Sequence, residues 1–503
     1  MKKIILLLTG IVCLLHLSSC LELDLTPPHQ VVAETSIQSE KDVKVMMDGL
    51  MRNLCSGSYY GRDMLLYADA KGGDYIIPML GRGYDGLYRF EHAVGSGSYS
   101  SFWYQIYICL ALSNNILEGI AKLEAGGTET PQLSKYKGQA LTLRALMHFD
   151  LARLYGYPYL KDNGASLGAP IVTKVLSAFD QPRRETVAAM YAQISEDLID
   201  GAALLNNSIG KTKEQGYVNY YANKALQAKV YLYMGKYDES LAAAEEVMAP
   251  SAGYSLYSNA NWKSSWTKQN QSESIFELDM RQNETDLGTS SLGYMTIRPR
   301  KIGSNAGLFM ASKYFMESLE EDPDDVRWGV MSNDESTWAK PSRKGCCYKY
   351  LGDTLATGDG KGLASAVNIK VIRLSEVYLI AAEAALSQPT PDKTKAAAYL
   401  QKIRDRSPSL TLSDPATVDN ISIDMILKER QKELFGEGQR FFDLMRLGKT
   451  ILYADDEVAG IISGPRTAQG GSVNWNFYAS ILPISQGELD ANPAIRDQQN
   501  PGY

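Results

Sequence analysis

Histidine and cysteine are scarce in this chain, at four and six of 503 residues. Only His29, His92 and His148 lie beyond the first twenty positions, which leaves little for metal ligation, triads or histidine acid–base work. No CxxC or mixed Cys/His ligand spacing occurs, so no zinc site is expected. Among the later cysteines, Cys55, Cys109, Cys346 and Cys347, the last two are adjacent, and neighbours rarely satisfy disulfide geometry with each other. Free thiols or pairing elsewhere are expected. A GxSxG elbow, an HExxH pair and a phosphate-binding loop are also missing, and GRGYDG at 81–86 lacks the following Lys-Ser or Lys-Thr. Beyond residue 20 there is no continuous apolar run of about 20 residues, so no later segment reads as a membrane span. Basic excess is lacking too. The net charge of -7 becomes -9 once Lys2 and Lys3 are removed, which argues against nucleic acid and other polyanionic partners.

What is present begins at the first residue. Lys2 and Lys3 precede an apolar run from Ile4 to Leu17, which ends in Ser18, Ser19 and Cys20. A charged start, a short apolar stretch and small residues at the cut form an export leader, and a cysteine directly after Leu-Ser-Ser resembles the bacterial lipobox. Residues 1–19 are therefore expected to be a signal peptide and Cys20 a lipidated anchor, acylated by palmitate-like chains. Each buried methylene contributes about 0.8 kcal/mol, so several chains make a stable attachment. Removing 19 residues leaves 484, ample for a large core. Residues 20–40, with Pro27 and Pro28, read as a tether, and 41–503 as one body.

Helical periodicity starts near Lys41 and is broken by a Gly- and Tyr-rich interval at 56–100. It returns over Trp103–Leu123. Between Gly138 and Tyr155, the residues Ala140, Leu143, Met147, Leu151 and Leu154 step by three and four along one face. Thr186–Leu205 is a further helix. Over Tyr221–Met248, Ala228, Tyr231, Gly235, Tyr237 and Ser240 occupy the offsets of a tetratricopeptide helix pair, with Gly235 ending the first helix. Leu374–Arg406 is a related pair. The expected fold is mainly α: helix pairs near 103–156, 186–248 and 371–406 form a right-handed tetratricopeptide-like scaffold, because stacking buries faces that no single pair can bury. An irregular, loop-rich half accompanies it at 56–100 and 250–367, and 421–503 packs as a C-terminal segment. The second irregular interval holds Trp262, Trp266, Trp328 and Trp338.

The densest ionisable cluster is Glu429, Glu433, Glu437 and Asp443 with Arg430, Arg440 and Arg446. A glycosidase needs two carboxylates across an open cleft. Opposite charges three apart, Arg430 with Glu433 and Glu437 with Arg440, read instead as helix pairing, as does Arg373 before Glu376 and Glu383. Catalysis is not expected. Glu320, Glu321, Asp322, Asp324 and Asp325 do not space like a calcium loop and read as a solvated helix end, so no cofactor or metal is assigned.

Residues 428–449, KERQKELFGEGQRFFDLMRLGK, and the end LPISQGELDANPAIRDQQNPGY resemble the SusD/RagB family of outer-membrane nutrient-binding lipoproteins. IKVIRLSEVYLIAAEAAL and GQALTLRALMHFDLARLYGYP are similar to other family segments, while 250–367 match weakly. The resemblance implies a surface-exposed lipoprotein of the outer membrane that binds oligosaccharides without catalysis and passes them to a TonB-dependent, SusC-like barrel. Two alternatives stay open, a peptide-binding member of the same family and an exported helical glycoside hydrolase. The two intervals that interrupt the helical pattern concentrate flat rings beside charged side chains, as a sugar site requires. The ligand site is accordingly placed on Arg82, Tyr84, Asp85 and Tyr88, facing Tyr294, Trp328 and Trp338. Trp262 and Trp266, four apart, suit one helical core face and are left out.

Overall fold

The structure, a computed structural model, describes residues 37–77, 84–95, 101–281, 291–297, 307–332, 345–351, 367–453 and 472–503. The leader, Cys20, Arg82 and Trp338 lie outside them. The main helices are α1 (Glu40–Leu54), α2 (Asp63–Lys71), α3 (Ser101–Ala125), α4 (Pro131–Tyr155), α5 (Val187–Leu205), α6 (Tyr220–Met234) and α7 (Tyr237–Met248). They continue as α8 (Asn259–Ser265), α9 (Lys313–Glu320), α10 (Leu374–Ser387), α11 (Lys393–Arg404), α12 (Ile423–Leu434) and α13 (Arg440–Arg446).

Local chemistry sets the helix ends. The Thr130 hydroxyl accepts from the Leu133 N–H and Pro131 opens α4, while Thr186 caps α5 and Asn219 caps α6 in the same way. Gly235 closes α6 at φ 73°, a left-handed conformation that costs glycine no side-chain clash. From α3 to α7 each helix packs on the next, and α7 then packs on α10, α10 on α11 and α12. The helices grouped as pairs from sequence therefore do pack as pairs. α4 and α5 approach most closely at Gly138 and Gly201, where a Cβ on either would lie 3.0 Å from the carbonyl oxygen of the other. Among the described helices, α3 alone has the length and composition to cross a membrane, yet it packs between α1 and α4.

The strands are short. β1 (Tyr75–Ile76) pairs antiparallel with β3 (Met310–Ala311), Tyr75 opposite Ala311. β2 (Ser274–Leu278) pairs with β6 (Ile369–Arg373), which runs straight into α10, and β4 (Met331–Ser332) pairs with β5 (Cys346–Cys347). The Ala311 N–H donates to the Gly345 carbonyl at 2.8 Å, so the β1–β3 and β4–β5 ladders are linked. The C-terminal segment is tied to the helices by Arg184, which donates to the Asn500 side chain at 2.8 Å and to the Tyr155 carbonyl at 3.0 Å. Cys55, Cys109, Cys346 and Cys347 are all buried.

Three expectations are corrected. The interval 56–100 is not simply irregular, because α2 lies within it with all nine residues buried. Burial all round erases the amphipathic stripe by which a helix is read from sequence. Tyr231, whose repeat offset suggests a packing residue, is only half-buried beneath Lys236, whereas Tyr233 of the same helix is buried. The acidic run at 320–325 is solvated only in part: Asp322 and Asp325 are buried, Asp322 accepting backbone N–H groups of Asp324, Ser409 and Leu410, and Asp325 binding Arg327. Among the described residues no group of His, Cys, Asp and Glu could hold a metal ion.

Candidate functional site

The two irregular intervals meet at Phe309. Tyr84 stands at the head of a short helix, Asp85–Arg89, and its half-buried ring meets Phe309 edge to face, 5.0 Å between centroids and 79° between planes. From the other interval, the short helix Leu292–Thr296 carries Tyr294 and is capped by the Ser291 hydroxyl. The Tyr294 carbonyl accepts from the Gly307 N–H at 3.1 Å, and the neighbouring Met295 carbonyl accepts from the Phe309 N–H at 3.0 Å. Phe309 also meets the edge of Tyr75 on β1. The pairing of β1 with β3 thus sets the Tyr84 ring on Phe309, and the backbone bonds to Gly307 and Phe309 hold the helix of Tyr294 beside the same segment.

Burial, with repulsion from Asp63 and a weaker opposing pull from Arg62, pushes the Tyr84 phenol up to about 12. Arg62 and Asp63 are themselves paired at 2.6 Å. These two residues and Phe309 were not picked out from sequence. The Arg-Asp dipeptide at 62–63 was visible, but its proximity to Tyr84 comes from the buried turn of α2. Of Asp85 and Tyr88 the backbone alone is described, in the short helix after Tyr84. Trp328 has a different support: it is part-buried in a 3-10 turn, Val326–Val330, which packs on α8 and whose Val326 N–H donates to the Arg406 carbonyl. Trp262 and Trp266 are fully buried edge to face at 5.7 Å, the core pair their spacing suggested.

The acidic cluster of α12 and α13 is a buried ion-pair network, but its partners differ from those expected. Arg373 pairs with Glu273, Glu433 and Glu437 at 2.9, 2.7 and 2.6 Å. Arg327 pairs with Glu429 at 2.6 Å and Arg406 with Glu273 at 2.7 Å. Arg430 reaches Asp443 rather than Glu433, Arg440 lies near Asp74 rather than Glu437, and Glu376 and Glu383 pair with Lys229 and Arg446. Burial alone would raise the Glu433 carboxyl, yet Arg373, Arg406 and Arg327 together hold it well below its ordinary range. Carboxylates so neutralised act in folding, since a glycosidase acid needs a raised pKa and an open face.

Comparison with known proteins follows this geometry. The SusD family profile matches residues 324–503, and a second, described as "Starch-binding associating with outer membrane", matches 85–232. A SusD superfamily protein from Bacteroides thetaiotaomicron superimposes with a TM-score of 0.81 at 31% identity, covering 92% of this chain and 100% of the other. A laminarin-binding SusD-like protein has a TM-score of 0.70 at 23% identity, covering 93% and 100%. SusD-like protein P2 of Formosa agariphila is 22% identical across 99% of both chains.

Proposed function

The chain belongs to the SusD superfamily, and from that premise we propose that it captures oligosaccharides at the outer membrane and releases them uncleaved to a TonB-dependent, SusC-like transporter. The observation that carries the reading is the contact of the Tyr84 ring with Phe309 beside the Arg62–Asp63 pair, with the helix of Tyr294 bonded through its backbone to the segment that ends in Phe309. Flat apolar faces with fixed polar groups at their edges suit a sugar, whose ring stacks while its hydroxyls bond in set directions. The outer-membrane description of the matching profile and the laminarin-binding neighbour support the same ligand class. In this reading Cys20 holds the protein on the membrane through its acyl chains, facing the exterior, and no cofactor takes part.

The test is a glycan array probed with the purified chain, followed by chromatography of each bound sugar after prolonged incubation. Binding with the sugar recovered intact is expected. Time-dependent shortening of the sugar, or binding to peptides and to no glycan, would sink the proposal.

A further inference from the structure

A second concave surface is lined by none of the residues of the Tyr84–Phe309 contact. It is an open cleft of about 420 Å³, within the usual range of small-ligand sites of about 300–1,000 Å³. Three helix faces and one strand build it. α9 contributes Tyr314 and Glu317, three apart and both exposed, α12 contributes Gln431, and α13 contributes Arg440. β7 (Ile451–Leu452) closes the far side with Leu452. The floor is the turn after α2, where Gly72 is required: a Cβ there would lie 2.6 Å from the Cβ of Arg440.

The walls are chemically specific. Tyr314 is 38% exposed and Leu452 59% exposed, so an aromatic and an aliphatic residue of the lining both reach water. Behind them the polar groups are held in place. Asp74 is buried and accepts from the Gln431 amide at 2.6 Å, and its carboxylate lies 3.7 Å from Arg440 Nε, which itself has no hydrogen-bond partner. At the rim Lys428 and Glu321 neutralise each other as an ion pair. With charges of both signs present, nothing here concentrates a field for an anion or a cation. The set is an exposed ring, an aliphatic wall and fixed amide, guanidinium and carboxylate groups.

We propose that this cleft is a second sugar-binding site, in which a neutral pyranose stacks on Tyr314 and its hydroxyls bond Gln431, Arg440 and Glu317. The inference rests on the oligosaccharide reading above and goes beyond it by placing a contact on Tyr314, Gln431 and Arg440, none of which belongs to the first site. A long chain then has two footholds on one protein, and the effective concentration of the second contact raises its affinity above that of a short chain.

The test uses the detergent-solubilised full chain and the glycan array, with calorimetry on the best-bound polysaccharide and its shortest bound oligomer. Tyr314→Ala and Leu452→Ser are surface changes and should melt as wild type. Each is expected to weaken the polysaccharide about fivefold or more, the loss of one stacking contact, and a Tyr84→Ala, Tyr294→Ala double variant should retain residual binding. A second readout is a crystal soaked with the oligomer, in which density on Tyr314 is expected. Wild-type affinity in both cleft variants, with all binding lost in the double variant, overturns the second site and leaves the first. No glycan bound by the wild type overturns both.

Discussion

Arg373 grips Glu437 with both prongs of its guanidinium, Nε to one carboxylate oxygen at 2.6 Å and Nη2 to the other at 2.9 Å. Both residues are buried, and the same guanidinium also serves Glu273 and Glu433. Strand β6, helix α12 and the loop after it are pinned at one point. Arg373→Met is expected to destabilise the fold by about 3–5 kcal/mol, because it strands buried carboxylates without their cation. Urea unfolding measures this; a loss below about 1 kcal/mol would show that the network relaxes or admits water.

The same network sets the response to acid. Glu433 has a folded pKa below its ordinary value of 4.5, so its contribution is complete at neutral pH and is lost as pH falls below 4.5 toward the folded value. Asp443, held low by Arg430 and Arg446 against the opposing effect of burial, acts in the same direction. Thermal unfolding should shift downward between pH 5 and pH 3 by more in the wild type than in Glu433→Gln. Equal slopes in the two proteins would refute the assignment.

Two tyrosines of α6 separate core from surface. Tyr233 is 5% exposed with its ring edge on Phe149 at 5.1 Å, and Tyr233→Ala should cost about 3–5 kcal/mol, the range for removing a buried aromatic. Tyr231→Ala, at a half-buried position, should cost well under half of that. Chemical denaturation of both variants decides it, and the reverse ranking would mean that the helix is rotated.

At the proposed first site, Tyr84→Ala with Tyr294→Ala, and separately Trp328→Ala, should weaken oligosaccharide binding by on the order of 1 kcal/mol per lost contact. Calorimetry on the three proteins tests this. Unchanged affinity in Trp328→Ala would remove Trp328 from the proposed site, and unchanged affinity in the tyrosine pair would remove the site itself.

Cys20→Ala should leave the protein unacylated and recovered in the aqueous phase of a detergent partition, because Cys20 is the proposed anchor. Wild-type partitioning by that variant would require another attachment.

What was legible in the sequence is what depends on near neighbours. The Gly235 stop and the Trp262–Trp266 face rest on spacings of a few residues and appear in the structure; Gly138–Tyr155 is the expected helix too, though it is buried on nearly every side and was legible through its length, within the 25 residues of Pro131–Tyr155. Helix α2 was illegible because it is buried on every side. The ion pairs were recognised as structural yet mispaired, since Arg373 and Glu273 are 100 residues apart and no spacing rule links them. The proposed site was placed from sequence on two ring-rich intervals. Its support on Phe309 and its charged neighbours Arg62 and Asp63 depend on strand pairing and on α2, which local pattern does not encode.

The buried carboxylate of Asp69 accepts the backbone N–H groups of Gly438, Gln439 and Arg440, some 370 residues later, just as Arg184 waits for Asn500. During synthesis the early helices emerge long before their counterparts exist, so the first half of the polypeptide must persist with polar groups unmatched. Contacts of such separation close slowly. A chain built this way stays threadable through a translocation pore until late, and its final locking is deferred to the far side of the membrane it is expected to cross.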